Sequence, residues 1–255
     1  MKSFKKIVLF SSLLAVVSCN ALVVSAAKED LNQNGSVQVK PSDKSVVVDP
    51  EDPEDPEDPV DPGGSTNGDL RIDYISPLSF GKVKLKEKNR MYNSLATKIG
   101  KKGMSRGSFI QISDMRETKS GWKLQVKQEH QFKTPDNKEL TGAVLSIDKG
   151  WANSIDDQNP PNVTRDTLSI NNIGQVYDVA RADKNKGSGV WSNNFGASDH
   201  NDDGQPITLF KEKVSNADKE SVIRNSAIAL RIPDSTKIAT KEYATKITWL
   251  LSETP

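Results

Sequence analysis

From residue 70 onwards, the chain consists of short segments in which apolar and polar residues alternate. Alternation with a period of two places every second side chain on the same face of a β-strand. Turn-forming Gly, Asn, Asp and Pro residues separate these segments, and no βαβ alternation is present. Many short strands of this kind are typical of a sandwich or a barrel, and we expect an all-β fold, a β-sandwich of antiparallel strands over residues 70–255. The predicted strands are Arg71–Ile75, Leu78–Leu85, Ser108–Met115, Gly121–Gln128, Ala143–Ile147, Thr167–Ile170, Gln175–Val179, Val190–Phe195, Ile207–Phe210, Ser226–Ile232 and Tyr243–Leu251, with a short helix predicted within Lys211–Ile223.

Two of the predicted strands each carry a tryptophan and a leucine two residues apart. On a strand, Trp122 and Leu124 share one face, and so do Trp249 and Leu251. One interpretation is that both pairs are core residues, which together would stabilise the fold by several kcal/mol, an order-of-magnitude figure. The other is that the tryptophan faces are exposed and stack on sugar rings. The two motifs are Trp122-Lys123-Leu124 and Trp249-Leu250-Leu251.

The start of the chain has the organisation of a secretory signal peptide. Three lysines at positions 2, 5 and 6 precede an apolar segment over residues 7–17. Small residues at positions 24–26 predict cleavage that leaves a signal peptide of residues 1–26. The alternative is a lipobox-like sequence ending at Cys19, the only cysteine, which would carry a lipid. Both routes predict a secreted protein, and no transmembrane segment is expected in the mature chain.

Residues 27–69 show little periodicity and are acidic and proline-rich at their centre. Proline recurs every third residue from Pro50 to Pro62, and the stretch from Asp49 to Asp61 contains eight acidic residues and no basic one. Proline lacks an N–H and fixes φ, so it does not join a helix or a sheet ladder. We therefore predict a disordered, extended polyproline II linker that acts as a plain spacer.

These features together resemble the WxL family of Gram-positive surface proteins. The resemblance covers residues 70–255 and is carried by the two Trp-x-Leu motifs. One motif follows an Asp-x-Arg step at residues 114–116, and the other stands a few residues before Pro255. Ser79-Phe80-Gly81 is similar to the family's entry strand. Family members often carry Gly after the Asp-x-Arg step, where this chain has Glu117.

The resemblance implies a binding and scaffolding protein of the cell surface, with no enzymatic activity and no cofactor. It implies non-covalent attachment to peptidoglycan, and assembly with other surface proteins, including WxL-interacting proteins. A rival hypothesis is a lipid anchor at Cys19, with the domain acting purely as a protein–protein module. The motif positions that the resemblance connects with wall or partner binding are Trp122, Lys123, Leu124, Trp249, Leu250 and Leu251.

The formal net charge of +1 conceals an asymmetry. From Asp69 to the end there are 29 Lys and Arg residues against 23 Asp and Glu residues, a net charge of +6. Such a field favours polyanions, which in an exported bacterial protein are anionic wall polymers rather than nucleic acid. The alternative is a solvated lysine-rich edge. The candidate polyanion contacts are Lys82, Lys84, Lys86, Lys101 and Lys102.

Two further patterns suggest chemistry of their own. Asp199, Asn201 and Asp203 have the spacing of the first half of a calcium loop, although Phe210 stands where the closing Glu belongs. The alternative is a plain Asx-rich turn, and no other metal site is predicted. A wall glycosidase would need a carboxylate pair, for which spacing alone gives no warrant. The candidate carboxylates are Asp156, Asp157, Asp202 and Asp203.

Overall fold

The computed structural model describes residues 46–60, 63–156, 158–213 and 221–254. Within these ranges all regular structure is β, and every pairing between named strands is antiparallel, which confirms the predicted all-β class. The predicted signal peptide, including Cys19, lies outside the described residues. The strands are β1 Leu70–Ile75, β2 Met91–Leu95, β3 Thr97–Ile99, β4 Met104–Arg106, β5 Ser108–Asp114, β6 Trp122–Gln128, β7 Val144–Ile147, β8 Gly150–Asn153, β9 Asn162–Val163, β10 Leu168–Ile170, β11 Val176–Ala182, β12 Gly189–Phe195, β13 Leu209–Lys213, β14 Ser221–Arg231 and β15 Ile247–Glu253.

Three larger sheets and one two-stranded sheet organise these strands. The first sheet has the order β1-β5-β12-β8, and the second has the order β10-β7-β14-β13, with β2 also paired to β14. The third sheet has the order β15-β6-β11-β9, and β3 pairs with β4. Most neighbours are distant in sequence, so the fold depends on long-range pairing.

The main core is shared by the three larger sheets. Each sheet turns the apolar face of its alternating strands towards this core, as the hydrophobic pattern predicts. Fully burying one aliphatic or aromatic side chain of this kind contributes about 1.5–3 kcal/mol. The most deeply buried members include Ile112 of β5, Trp122, Leu124 and Val126 of β6, Ile147 of β7 and Ile228 of β14.

Two predicted elements differ from the structure. Residues 78–85 form no strand; residues 81–89 are all exposed and belong to the connection between β1 and β2. The helix prediction within Lys211–Ile223 is wrong for the residues at both ends of this range. Residues 211–213 belong to β13 and residues 221–223 belong to β14, and the two strands pair with each other. Residues 214–220 between the two strands lie outside the described part.

Residues 46–60 of the predicted linker fold onto the domain, unlike the extended, unpaired spacer expected there. The tract turns back on itself, with the Asp49 N–H donating to the carbonyl of Asp55 at 3.0 Å. It then runs beside β3, where the Val60 N–H donates to the carbonyl of Lys98 at 3.0 Å. Proline lacks an N–H, but the residues between the prolines do not. Their backbone groups supply these hydrogen bonds.

Candidate functional site

The two Trp-x-Leu motifs lie on neighbouring strands of the third sheet. Strand β15 pairs with β6 so that Leu251 stands opposite Leu124 and Glu253 opposite Trp122. Trp249 stands opposite Val126 in the same register. Because directly opposed residues point to the same face, the two motifs build a single surface on each side of the sheet.

The inner side of this pair is core. Trp122 and Leu124 are both 0% exposed, and the indole N–H of Trp122 donates to the carbonyl of Gly187 at 2.9 Å. Trp249 and Leu251 are half-buried and pack against the main core. A sugar cannot stack on Trp122 in this state, so the core interpretation holds for that residue. Any effect of Trp122 on wall binding is therefore indirect.

The opposite side of the third sheet, which we call the outer face, is polar and partly exposed. Leu250 is 38% exposed, and Lys123 and Gln125 are half-buried. The Gln125 amide donates to Asp178 at 2.6 Å, and the Lys123 ammonium lies 3.5 Å from the same carboxylate. The register of β6 with its two neighbours defines the members of the outer face as Lys123, Gln125, Lys127, Val176, Asp178, Arg181, Thr248, Leu250 and Ser252.

Hydrogen bonds fix the edge of the outer face. Glu129 accepts a hydrogen bond from the Thr248 hydroxyl at 2.6 Å and pairs with the Lys127 ammonium at 3.0 Å. The bond from Thr248, followed by that from Lys127, lowers the pKa of the Glu129 carboxyl. The ion pair with Glu129 holds Lys127 in place beside the motif strands.

The predicted polyanion lysines lie in two separate loops. Lys82, Lys84 and Lys86 belong to the connection between β1 and β2, and Lys101 and Lys102 follow β3. All five residues are exposed. The Lys86 ammonium also donates to the carbonyl of Met91 at 2.8 Å and lies 5.2 Å from the centre of the Tyr92 ring, so it helps to shape its loop.

The calcium-loop candidate is a hydrogen-bonded turn. The Asn201 side chain accepts from the Gln205 N–H at 2.8 Å and donates to the carbonyl of Ser198 at 2.6 Å. Asp203 accepts from the Asn153 amide at 3.2 Å, and Asp199 is exposed. Across the described residues, no group of three or more His, Cys, Asp or Glu residues is placed to hold a metal ion.

The carboxylates considered for a glycosidase lie in exposed turns or outside the described residues. Asp156 accepts a hydrogen bond from the Gln158 N–H at 3.2 Å within an exposed turn. Asp202 and Asp203 are exposed neighbours, and partial loss of hydration, followed by repulsion from Asp202, raises the pKa of the Asp203 carboxyl. Asp157 lies outside the described residues.

A second site, which the sequence analysis missed, holds part of the acidic tract. We call it the acidic-segment groove and define it by Arg106, Gln111, Asn194 and Ser198. The Arg106 guanidinium binds both carboxylate oxygens of Asp49, through Nε at 2.7 Å and Nη2 at 2.6 Å. Paired donors of this kind make the strongest contacts that arginine offers a carboxylate.

The next acid of the tract enters the same groove. Glu51 accepts hydrogen bonds from the Ser198 N–H at 2.7 Å and from the Ser198 hydroxyl, and the Arg106 Nε lies 3.5 Å from it. Asp49 is 2% and Glu51 8% exposed. Burial raises the pKa of the Glu51 carboxyl although these partners oppose the shift. Burial alone would lower the pKa of Arg106, but the hydrogen bond and charge of Asp49 raise it.

Amide side chains in the groove bind the backbone of the tract. The Gln111 amide donates to the carbonyl of Val46 at 2.8 Å and accepts from the Val48 N–H at 3.0 Å. Its orientation is fixed by a second donated bond, to Asp73 at 2.9 Å. The Asn194 amide donates to the carbonyl of Pro50 at 3.2 Å. The groove therefore recognises both the backbone and the acids of this segment.

Glu51, Arg106 and Ser198 also line an open cleft of about 720 Å³. His200 and Phe210 lie on its wall, so the cleft combines charged and apolar surface.

One feature of the sequence could have indicated that the acidic tract packs against the domain. Three valines, residues 46–48, directly precede Asp49, which is unusual for a solvated spacer.

The antiparallel all-β fold and the two paired Trp-x-Leu strands define the class of protein, a surface domain that binds the cell wall. The chain belongs to the WxL family, whose model, described as "WxL domain surface cell wall-binding", matches residues 26–255. This match confirms the resemblance drawn from the sequence and also includes the tract at residues 46–60. No curated protein and no solved structure matches the chain significantly. Among the described residues, no helix is long and apolar enough to cross a membrane.

Proposed function

We propose that this protein is held non-covalently on peptidoglycan by the outer face of its third sheet. The observation that carries the proposal is the register of β6 with β15, which turns Lys123 and Leu250, the central residues of the two motifs, away from the core. The face combines hydrogen-bonding side chains with the exposed apolar groups of Leu250 and Val176. This mixture suits a glycan, which offers hydroxyls along its edges and C–H groups on its ring faces.

The test is co-sedimentation of the chain from residue 27 to 255 with isolated peptidoglycan sacculi. The outer-face variant combines Lys123→Ala, Gln125→Ala and Leu250→Ser, and we expect its affinity for sacculi to fall at least about tenfold. The matched control combines Lys84→Ala, Lys101→Ala and Lys102→Ala, which truncates the same number of side chains elsewhere on the surface. Thermal melts establish that both variants are folded. Equal binding by the folded outer-face variant and the wild type would refute the proposal.

A second arm separates peptidoglycan from anionic wall polymers. Sacculi stripped of teichoic acids should still bind the protein, and binding should persist in high salt, because neutral hydrogen bonds and apolar contacts are little screened. Binding that disappears on stripping would instead favour the exposed lysines, including Lys82 and Lys86. The control variant would then lose binding while the outer-face variant kept it.

The proposal includes a scaffolding role without catalysis. Support comes from the family, which is a wall-binding family and not an enzyme family. We propose that the mature protein starts near Ala27 and assembles on the cell surface with other proteins, including WxL-interacting partners. Mass spectrometry of the mature N-terminus tests the first part, because a diacylated Cys19 would show that a lipid anchors the chain. Pull-down from wall extracts with the outer-face variant and the wild type tests whether partners use the same surface.

A further inference from the structure

The acidic-segment groove holds residues 46–51 in the way a recognition domain holds a peptide ligand. Its amides bind the backbone at Val46, Val48 and Pro50, while Arg106 and Ser198 bind the two acids. In peptide recognition, hydrogen bonds to the ligand backbone give affinity, and pockets for particular side chains give specificity. The site therefore selects a sequence and not merely a negative charge.

An apolar contact fixes the register of the segment. Val47 packs against the small cluster of Tyr74, Ile99 and Phe109, two residues before the acid bound by Arg106. The tract contains three Asp-Pro-Glu triplets, but only the first follows a run of valines. The preferred ligand is thus Val-x-Asp-Pro-Glu, and slipping by one triplet would place Pro50 where Val47 lies.

The tract continues from the groove to the edge of a sheet. The Val60 N–H donates to the carbonyl of Lys98, and the Gly100 N–H donates to the carbonyl of Asp58 at 2.9 Å. These bonds add residues 58–60 beside β3, which otherwise pairs only with β4 among the described strands. Strand addition of this kind depends on backbone groups, so any chain with the same tract can supply it.

We propose that the acidic-segment groove is a peptide-binding site for Val-x-Asp-Pro-Glu segments, and that its ligand between molecules is the same tract of a second copy of this chain. The tract precedes the domain and is joined to β1 by residues 61–69, so groove and ligand are separate parts of one chain. When two copies exchange an identical element, each contact seen within one chain forms between the two chains, and no new interface is needed. The inference is independent of the outer face and of the proposed wall ligand.

The first experiment frees the groove in the full mature chain and offers the ligand in trans. The double variant Asp49→Asn, Glu51→Gln weakens the chain's own segment, and the probe is a fluorescent peptide of residues 45–60. We expect the variant to bind the peptide at least about tenfold more tightly than the wild type, whose own tract competes at high effective concentration. Adding Arg106→Gln to the variant should weaken binding at least about 30-fold, because it removes the paired guanidinium donors.

A peptide that carries the same two substitutions is the matched control and should bind no variant. Equal binding of both peptides, or no binding by the variant, would overturn the proposal. Thermal melts verify folding, and where the double variant is unfolded, Glu51→Gln alone serves in its place with the same expected order of affinities.

The second experiment tests the exchange between copies. The variant with Asp49→Asn and Glu51→Gln has an intact groove, and the Arg106→Gln variant has an intact segment. Sedimentation velocity should show a heterodimer when the two are mixed and monomers when each is alone. Monomers in the mixture, at concentrations where the peptide binds, would overturn the second copy as the ligand.

Discussion

Trp122 contributes to the stability of the fold and does not contact the wall directly. Its side chain is fully buried, and its N–H satisfies the carbonyl of Gly187. We expect Trp122→Ala to lower the free energy of unfolding by about 3–5 kcal/mol, as for other large-to-small core substitutions. Denaturant unfolding measures this change. The neighbouring Lys123→Ala should leave stability nearly unchanged, and an equally stable Trp122→Ala protein would contradict the assignment.

Glu51 makes stability depend on pH. Because burial raises its pKa in the folded state above the ordinary 4.5, the folded chain binds the proton more tightly than the unfolded chain. Its contribution is therefore most favourable below pH 4.5 and is lost as the pH rises through the folded-state value. The substitution Glu51→Gln should remove the contribution of Glu51 to the pH dependence of the free energy of unfolding.

Urea unfolding between about pH 4 and 7 measures the effect by comparing slopes of unfolding free energy against pH. Glu54→Gln is the control, since Glu54 belongs to the same tract but is exposed. Wild type and Glu51→Gln with the same slope would show that Glu51 titrates as it does in the unfolded chain.

Sequence reasoning at this scale identified the motif residues but could not place their partners. Alternation in β6 predicted that Trp122 and Leu124 share a face, and they do. The pattern did not reveal that this face is the core, because a strand with an exposed aromatic face shows the same alternation of apolar and polar residues. Arg106 was counted as one of many basic residues, because its partner Asp49 lies 57 positions away in sequence.

Among strands, prediction succeeded where one face is buried. Strands β5, β6 and β12 were placed within a residue or two, since each contributes a clear apolar side to the main core. Strands β2, β3 and β4 were missed because they are short and carry many polar residues. Residues 78–85 form no strand: the apolar positions shift phase between Phe80 and Val83, and residues 81–85 are exposed and join no sheet.

Strand β15 offers a prediction based on its two faces. Trp249 packs towards the core and Leu250 points away from it. We expect Trp249→Ala to lower the melting temperature by several degrees, as a loss of about 1–3 kcal/mol would. Leu250→Ala on the adjacent position should shift it by no more than about one degree. The reverse order, measured by differential scanning calorimetry, would mean that β15 is out of register.

For the whole molecule, the boundary of the folded part differs from the boundary suggested by composition. A chain that begins at residue 70 lacks the segment that pairs with Arg106, whereas one that begins at residue 45 keeps it. We expect the shorter chain to lose about 3–5 kcal/mol of stability, because the charge-assisted hydrogen bonds of Asp49 and Glu51 and the packing of Val47 are lost together. Denaturant unfolding of the two chains measures the difference.

A third chain, beginning at residue 45 but carrying Asp49→Asn and Glu51→Gln, is the control. If the two acids account for the contribution of the tract, the free energy of unfolding of this third chain should be close to that of the chain that begins at residue 70. Equal stability of the chains that begin at residues 45 and 70 would mean that residues 45–69 contribute nothing to the fold.

The pairing of β15 with β6 also imposes an order of events in time. Strand β6 lies inside its sheet, yet one of its two neighbours begins 125 residues later, at Ile247 against Trp122. During folding, one side of β6 therefore stays unpaired until residues 247–253 reach it. Contacts of such long range form slowly. The surface that we propose to bind the wall is therefore complete only after β15 has paired with β6.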